Sequence, residues 1–138
     1  MDDVTFPGCD TPTAPLGVGT WAWGDRSTWG MGGYDTALTQ DTIREAWQTS
    51  LDAGVTCFDT AEVYGNGESE RIIGGLLAQD PGRRDSLVLA TKFMPSPWKL
   101  NVRSALRAAL EGSIERLGVE HVDLYQIHGP ISLRSVSY

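Results

Sequence analysis

Four short runs of β-branched, aliphatic and aromatic residues alternate with three stretches of helical periodicity, and that alternation constrains the fold more than any other feature of the chain. The strand candidates are Leu16 to Trp21, Val55 to Phe58, Leu87 to Thr91 and Val122 to Ile127. The first helical stretch has Thr39 as a cap, Leu38 and Ile43 as a staple across it, an apolar face of Ile43, Ala46, Trp47 and Leu51, and Gly54 as its stop. The second runs from Glu68 to Leu77 and is expected to bury Ile72, Ile73, Leu76 and Leu77. The third runs from Asn101 to Leu117, with Leu106, Leu110, Ile114 and Leu117 on one face and Gly118 at its end. Pro7, Gly8, Pro12 and Pro15 keep the opening irregular, and Gly24 to Gly33 reads as a loop rich in glycine and tryptophan.

A strand and its following helix recur about every thirty residues, the size of a right-handed βαβ unit. Such units build a parallel sheet with helices outside it. The sheet could belong to a barrel or to a doubly wound domain. The second would carry its nucleotide site in a glycine-rich turn directly between the first strand and its helix. Gly17-Val18-Gly19-Thr20-Trp21-Ala22 fits a loose version of that pattern, but no strand precedes it and a long loop follows it. At 138 residues the chain is well short of the roughly 250 of an eight-stranded barrel.

With 41% hydrophobic and 21% charged residues, the composition is that of a globular chain, and a net charge of -7 argues against nucleic-acid phosphates and anionic membranes as partners. Cys9 and Cys57 lie far apart, without metal-ligand or redox spacing, so reduced thiols and no metal site are expected. No basic, apolar leader opens the chain and no run is long enough to span a membrane. The expected compartment is the cytoplasm, with a plastid as the alternative.

The ionisable residues fall where a parallel barrel builds its chemistry, at the C-terminal ends of the strands. Asp59 ends the second strand, Tyr64 follows in its loop, Lys92 ends the third strand, and His128 ends the fourth. Each alone has an ordinary structural reading. Together they stand out, because Lys92 and Lys99 are the only lysines and His121 and His128 the only histidines. Trp47 belongs to a core face, whereas Trp21, Trp23 and Trp98 lie in loops at this end and could wall an apolar pocket. Gly65-Asn66-Gly67 reads as a turn into the second helix rather than a phosphate cradle.

The segment Gly54-Val55-Thr56-Cys57-Phe58-Asp59-Thr60-Ala61-Glu62-Val63-Tyr64-Gly65 resembles the aldo-keto reductase signature. Leu89-Ala90-Thr91-Lys92 and Val122-Asp123-Leu124-Tyr125-Gln126-Ile127-His128 are similar to the family's next two landmarks, in the right order. The resemblance runs from about Leu16 to Pro130. It implies an α/β (β/α)8 barrel of the TIM type, of which residues 1–138 would form the N-terminal half with four strands and three helices. It also implies NADPH as hydride donor, a small-molecule carbonyl substrate, and Asp59, Tyr64, Lys92 and His128 as the catalytic residues. Gly19-Thr20-Trp21 matches the stretch where the cofactor approaches the first strand, and Asp59 would join it there. In that family the adenosine phosphate is held by later strands. A half-barrel is therefore expected to be inactive or weakly active alone and to self-associate through its exposed edges, and a non-catalytic interaction role is the alternative.

Carbonyl reduction needs a proton at oxygen while hydride reaches carbon. An isolated tyrosine, with a pKa near 10, is a poor acid at neutral pH. A lysine ammonium beside it favours the phenolate, an aspartate holds that lysine charged and in place, and a neutral histidine aligns the substrate oxygen.

Overall fold

The computed structural model describes residues 2–24, 38–96 and 101–129. The elements, in chain order, are β1 (Gly17–Gly19), α1 (Gln40–Asp52), β2 (Cys57–Asp59), α2 (Glu68–Gln79), β3 (Val88–Phe93), α3 (Val102–Leu117) and β4 (Leu124–Ile127). Short 3-10 turns at Tyr64–Gly67 and Pro81–Ser86 flank α2. All strand pairs are parallel and the spatial order equals the sequence order, β1-β2-β3-β4. This is the parallel sheet with helices expected from the βαβ pattern, in the partial-barrel form that the family resemblance implies. Near the start, Val4 and Thr13 form one antiparallel bridge. Among the described residues no helix is long and apolar enough to cross a membrane.

Local chemistry sets the helix ends. Thr39 caps α1, its hydroxyl accepting from Thr42 N at 3.2 Å, and Asn101 caps α3 by accepting from Ser104 N at 3.2 Å. Gly118, at φ 65°, closes α3 in the left-handed conformation that glycine adopts without a Cβ clash. Ile43 and Trp47 are the buried residues of α1, whereas Ala46, expected on that face, is exposed. In α2, Ile73, Leu76 and Leu77 are buried and Ile72 packs beside them.

Phe58 in β2 is fully buried and sits between two tryptophans, with ring centroids 4.2 Å from Trp47 and 6.4 Å from Trp23. Trp23 is thus part of the core rather than the wall of a pocket. Trp29 and Trp98 lie outside the described residues.

Strand boundaries shift for identifiable reasons. β3 runs on to Phe93 because Phe93 pairs with Ile127, so Lys92 stands inside the strand rather than at its end. β4 starts at Leu124 rather than Val122, since the Asp123 carboxylate accepts from Leu89 N at 2.8 Å. That side chain takes over a position of the backbone ladder.

The α2–α3 contact is close because Gly74 has no side chain. A Cβ there would lie 2.6 Å from Arg116 O and 2.9 Å from Leu117 O, whereas one at the adjacent Gly75 would meet nothing within 4 Å. The two glycines should therefore respond oppositely. Gly74→Ala is expected to destabilise the fold by about 1–3 kcal/mol through overpacking, and Gly75→Ala to be neutral or stabilising by up to about 1 kcal/mol through helix propensity. Urea unfolding of both variants checks this; equal effects would mean that α2 and α3 are not in contact at Gly74.

Candidate active site

Parallel pairing in register gathers Asp59, Tyr64, Lys92 and His128 at one end of the sheet. Asp59 is the last residue of β2, Lys92 is next to last in β3, His128 follows β4, and Tyr64 opens the 3-10 turn after β2. The Lys92 side chain is only 13% exposed. Its ammonium donates to Asp59 Oδ2 at 2.5 Å, to Thr60 O at 2.8 Å and to Tyr64 Oη at 3.1 Å.

An ammonium has three donors and no acceptor, so these three bonds use it completely. The phenol oxygen of Tyr64 must act as the acceptor, which leaves its own O–H free to donate elsewhere.

His128 stands edge-on to Tyr64, with ring centroids 5.4 Å apart at 88°, and its backbone N donates to Phe93 O at 2.8 Å. Its Nδ1 is buried and has no hydrogen-bond partner among the described residues. Burial, and then the Lys92 charge, push the His128 pKa below its ordinary value of 6.5, with Asp59 and Glu62 opposing in part. The imidazole is therefore neutral at neutral pH.

Several supporting residues carried no signal in the sequence reading. Gln126 Nε2 donates to the second Asp59 oxygen, Oδ1, at 3.0 Å. Ser69 Oγ lies 2.7 Å from Thr20 Oγ1 and 2.9 Å from Thr60 Oγ1, tying the start of α2 to the ends of β1 and β2. The next residue, Glu70, is fully buried; it accepts from Thr91 Oγ1 at 2.6 Å and from Arg116 Nε at 2.6 Å. A polar spacing analysis could not find them, because their partners are distant in sequence.

The three residues at and after the end of β1, Gly19, Thr20 and Trp21, differ in what they offer. Gly19 pairs with Asp59, and a Cβ on it would meet nothing within 4 Å, so the strand backbone is open there. Thr20 is fully buried with its hydroxyl engaged by Asp59 O and Ser69, while Trp21 is 38% exposed. Gly65, Asn66 and Gly67 all have positive φ and form the turn into α2; a Cβ on Gly67 would strike the Arg116 side chain at 2.7 Å. Among the described residues no group of three or more His, Cys, Asp or Glu could hold a metal ion.

The depressed His128 pKa has a definite sign in stability. Unfolding restores the ordinary value, so the unfolded chain binds more protons in the window just below pH 6.5. The stability due to neutral His128 is full above that pH and is lost as pH falls through the folded value. A proton NMR titration should place the His128 midpoint below 6.5, and Lys92→Met should move it upward by removing the nearby charge. A midpoint that stays put in Lys92→Met would show that the ammonium does not act on the imidazole.

The geometry has counterparts. The sequence model of the aldo/keto reductase family matches residues 15–134. The chain is 43% identical over 121 residues to the aldo-keto reductase YhdN of Bacillus subtilis, covering 83% of this chain and 34% of that protein. Its structure is similar to that of the glycerol dehydrogenase AKR11B4 from Gluconobacter oxydans, with TM-score 0.73 and 34% identity over 95% of this chain and 40% of the other. It is also similar to a Klebsiella pneumoniae aldo-keto reductase crystallised with NADPH, with TM-score 0.66 and 30% identity over 87% of this chain and 37% of the other. The chain spans about a third of the length of the curated relatives it matches. Sequence, parallel-sheet order and structural likeness agree that this chain belongs to the aldo/keto reductase family of oxidoreductases.

Proposed function

We propose that residues 1–138 form the N-terminal half of an NADPH-dependent reductase barrel that converts a small aldehyde or ketone to an alcohol. The observation that carries this reading is the saturated Lys92 ammonium, which leaves the Tyr64 hydroxyl as an uncommitted donor.

Tyr64 gives its proton to the carbonyl oxygen as charge develops there. The positive charge of Lys92 stabilises the phenolate left behind: two unit charges at about 4 Å and an effective dielectric of about 20 attract by roughly 4 kcal/mol. Asp59 offsets part of that field, and in return keeps the lysine charged and oriented. Neutral His128 donates a hydrogen bond that aligns the substrate oxygen without competing as an acid.

NADPH, when bound, supplies the hydride. The open backbone at Gly19, the exposed ring of Trp21 and the partly exposed carboxylate of Asp59 fit its nicotinamide end, while Thr20, buried with its hydroxyl and main chain both engaged, supports them from behind. Such contacts cover one end of a long molecule. Holding the reacting atoms in place can supply about 7 to 11 kcal/mol of barrier lowering. The adenosine end must be gripped by residues beyond these elements, and the β1 and β4 edges are where further strands or a second copy would pair. Cytoplasmic placement is part of this reading.

In a complete barrel carrying these residues, Tyr64→Phe should lower kcat by several orders of magnitude and leave NADPH affinity nearly unchanged, since the hydroxyl acts in the transition state. Stopped-flow turnover and fluorescence titration measure the two quantities; turnover within about tenfold of the parent removes Tyr64 from the acid role. The 138-residue chain alone should bind NADPH weakly and show no steady loss of nicotinamide absorbance with a reactive aldehyde. Micromolar binding with turnover by the purified chain would overturn that expectation.

A further inference from the structure

Gln126 is an amide on the inner face of the sheet, where an aliphatic side chain would be the default. Its neighbour Tyr125 points the other way, its hydroxyl donating to Leu106 O on α3 at 3.3 Å, so strand alternation turns Gln126 inward. It pairs in register with Lys92. Both side chains reach to Asp59, which lies two strands from β4: Lys92 takes Oδ2 and Gln126 takes Oδ1. A carboxylate only accepts, so the amide must present its nitrogen.

We infer that Gln126 is a positioning residue, whose amide holds the Asp59 carboxylate so that Lys92 binds one oxygen only and keeps an ammonium hydrogen on Tyr64. With Oδ1 occupied, the carboxylate cannot rotate to place both oxygens on the ammonium. Without Gln126 that rotation is open, and two of the three ammonium hydrogens would go to Asp59. Either Thr60 O or Tyr64 Oη would then lose its donor, and the main-chain carbonyl is the one fixed by the strand. The effect on catalysis rests on the reading of Tyr64 as proton donor; the effect on Lys92 does not.

The charged and titratable groups around this contact are Lys92 from β3, Tyr64 and Glu62 from the β2–α2 connection, Cys57 from β2 and His128 after β4. Among the described residues Gln126 Nε2 is the group that donates to Asp59 Oδ1, and Lys92 has no ammonium hydrogen left for it.

Two substitutions separate positioning from bulk structure. Gln126→Met keeps length and removes the donor. Gln126→Glu keeps the shape but donates only when its new carboxyl is protonated. The full chain has two lysines, so the 15N ammonium signal of Lys92 can be assigned by its loss in Lys92→Met. In Gln126→Met the ammonium hydrogens should exchange with water roughly tenfold faster than in the parent. In Gln126→Glu they should exchange about as much faster than the parent at neutral pH, and on acidification return to the rate that the parent shows at the same pH, since base-catalysed exchange slows with falling pH in both. In the complete barrel kcat should follow the same pattern, with KM for substrate unchanged.

Lys92 exchange within about twofold of the parent in a folded Gln126→Met overturns the inference. If that variant fails to fold, acid rescue in Gln126→Glu decides, and its absence overturns the inference equally. Fast exchange in Gln126→Met together with undiminished turnover in Tyr64→Phe would support the role of Gln126 on Lys92 and remove Tyr64 from the acid role instead.

Discussion

The Lys92 ammonium has left most of its water behind and replaced it with three oxygens, from the end of β2, the residue after it and the turn beyond. A charge in that position is tolerated only when its hydrogens are paired, and removing one partner of such a pair commonly costs about 3–5 kcal/mol. That requirement fixes more than the lysine. It holds the β2–α2 connection down on β3, sets the orientation of Asp59, and decides which lone pair of Tyr64 is occupied. The partly buried, neutral imidazole of His128 completes the group by taking no charge of its own beside the ammonium.

Behind this polar end, α2 acts as a clamp. Ser69 bonds to hydroxyls on both sides of the β1–β2 end, and Glu70 reaches Thr91, the residue before Lys92. Glu70 is fully buried and offset by Arg116 from α3, so the helix layer and the strand that carries Lys92 are tied by one ionic contact. The small residue at Gly74 makes this geometry attainable, since it lets the backbone of α3 approach α2 closely enough for Arg116 to reach Glu70. Packing of the helices and placement of the lysine are therefore one problem, solved at two levels.

The aromatic layer serves a different end. Phe58 occupies the position just before Asp59 and is enclosed by Trp23 and Trp47, which anchors β2 from the face opposite the polar cluster. A loop tryptophan recruited to the core in this way stiffens the strand end without entering the site, and Trp21, two residues earlier, stays exposed beside open backbone.

The alternation of strand and helix, the cap at Thr39 and the stops at Gly54 and Gly118 were legible because they are local: each depends on residues within one or two turns. The gathering of Asp59, Tyr64, Lys92 and His128 at one sheet end was legible too, since parallel strands of known order place their C-terminal ends together. What the sequence did not disclose were contacts between groups distant in the chain. Gln126 on Asp59, Glu70 between Thr91 and Arg116, Ser69 between two threonines, and Trp23 on Phe58 involve residue types that are individually unremarkable. The extension of β3 through Lys92 depended on pairing with β4, and the core position of Trp23 on how its loop folds back. Local sequence determines elements and their ends through short-range hydrogen bonds and periodicity; only the tertiary structure assigns partners to buried polar groups, because desolvation acts on whatever the packed layers bring within bonding distance.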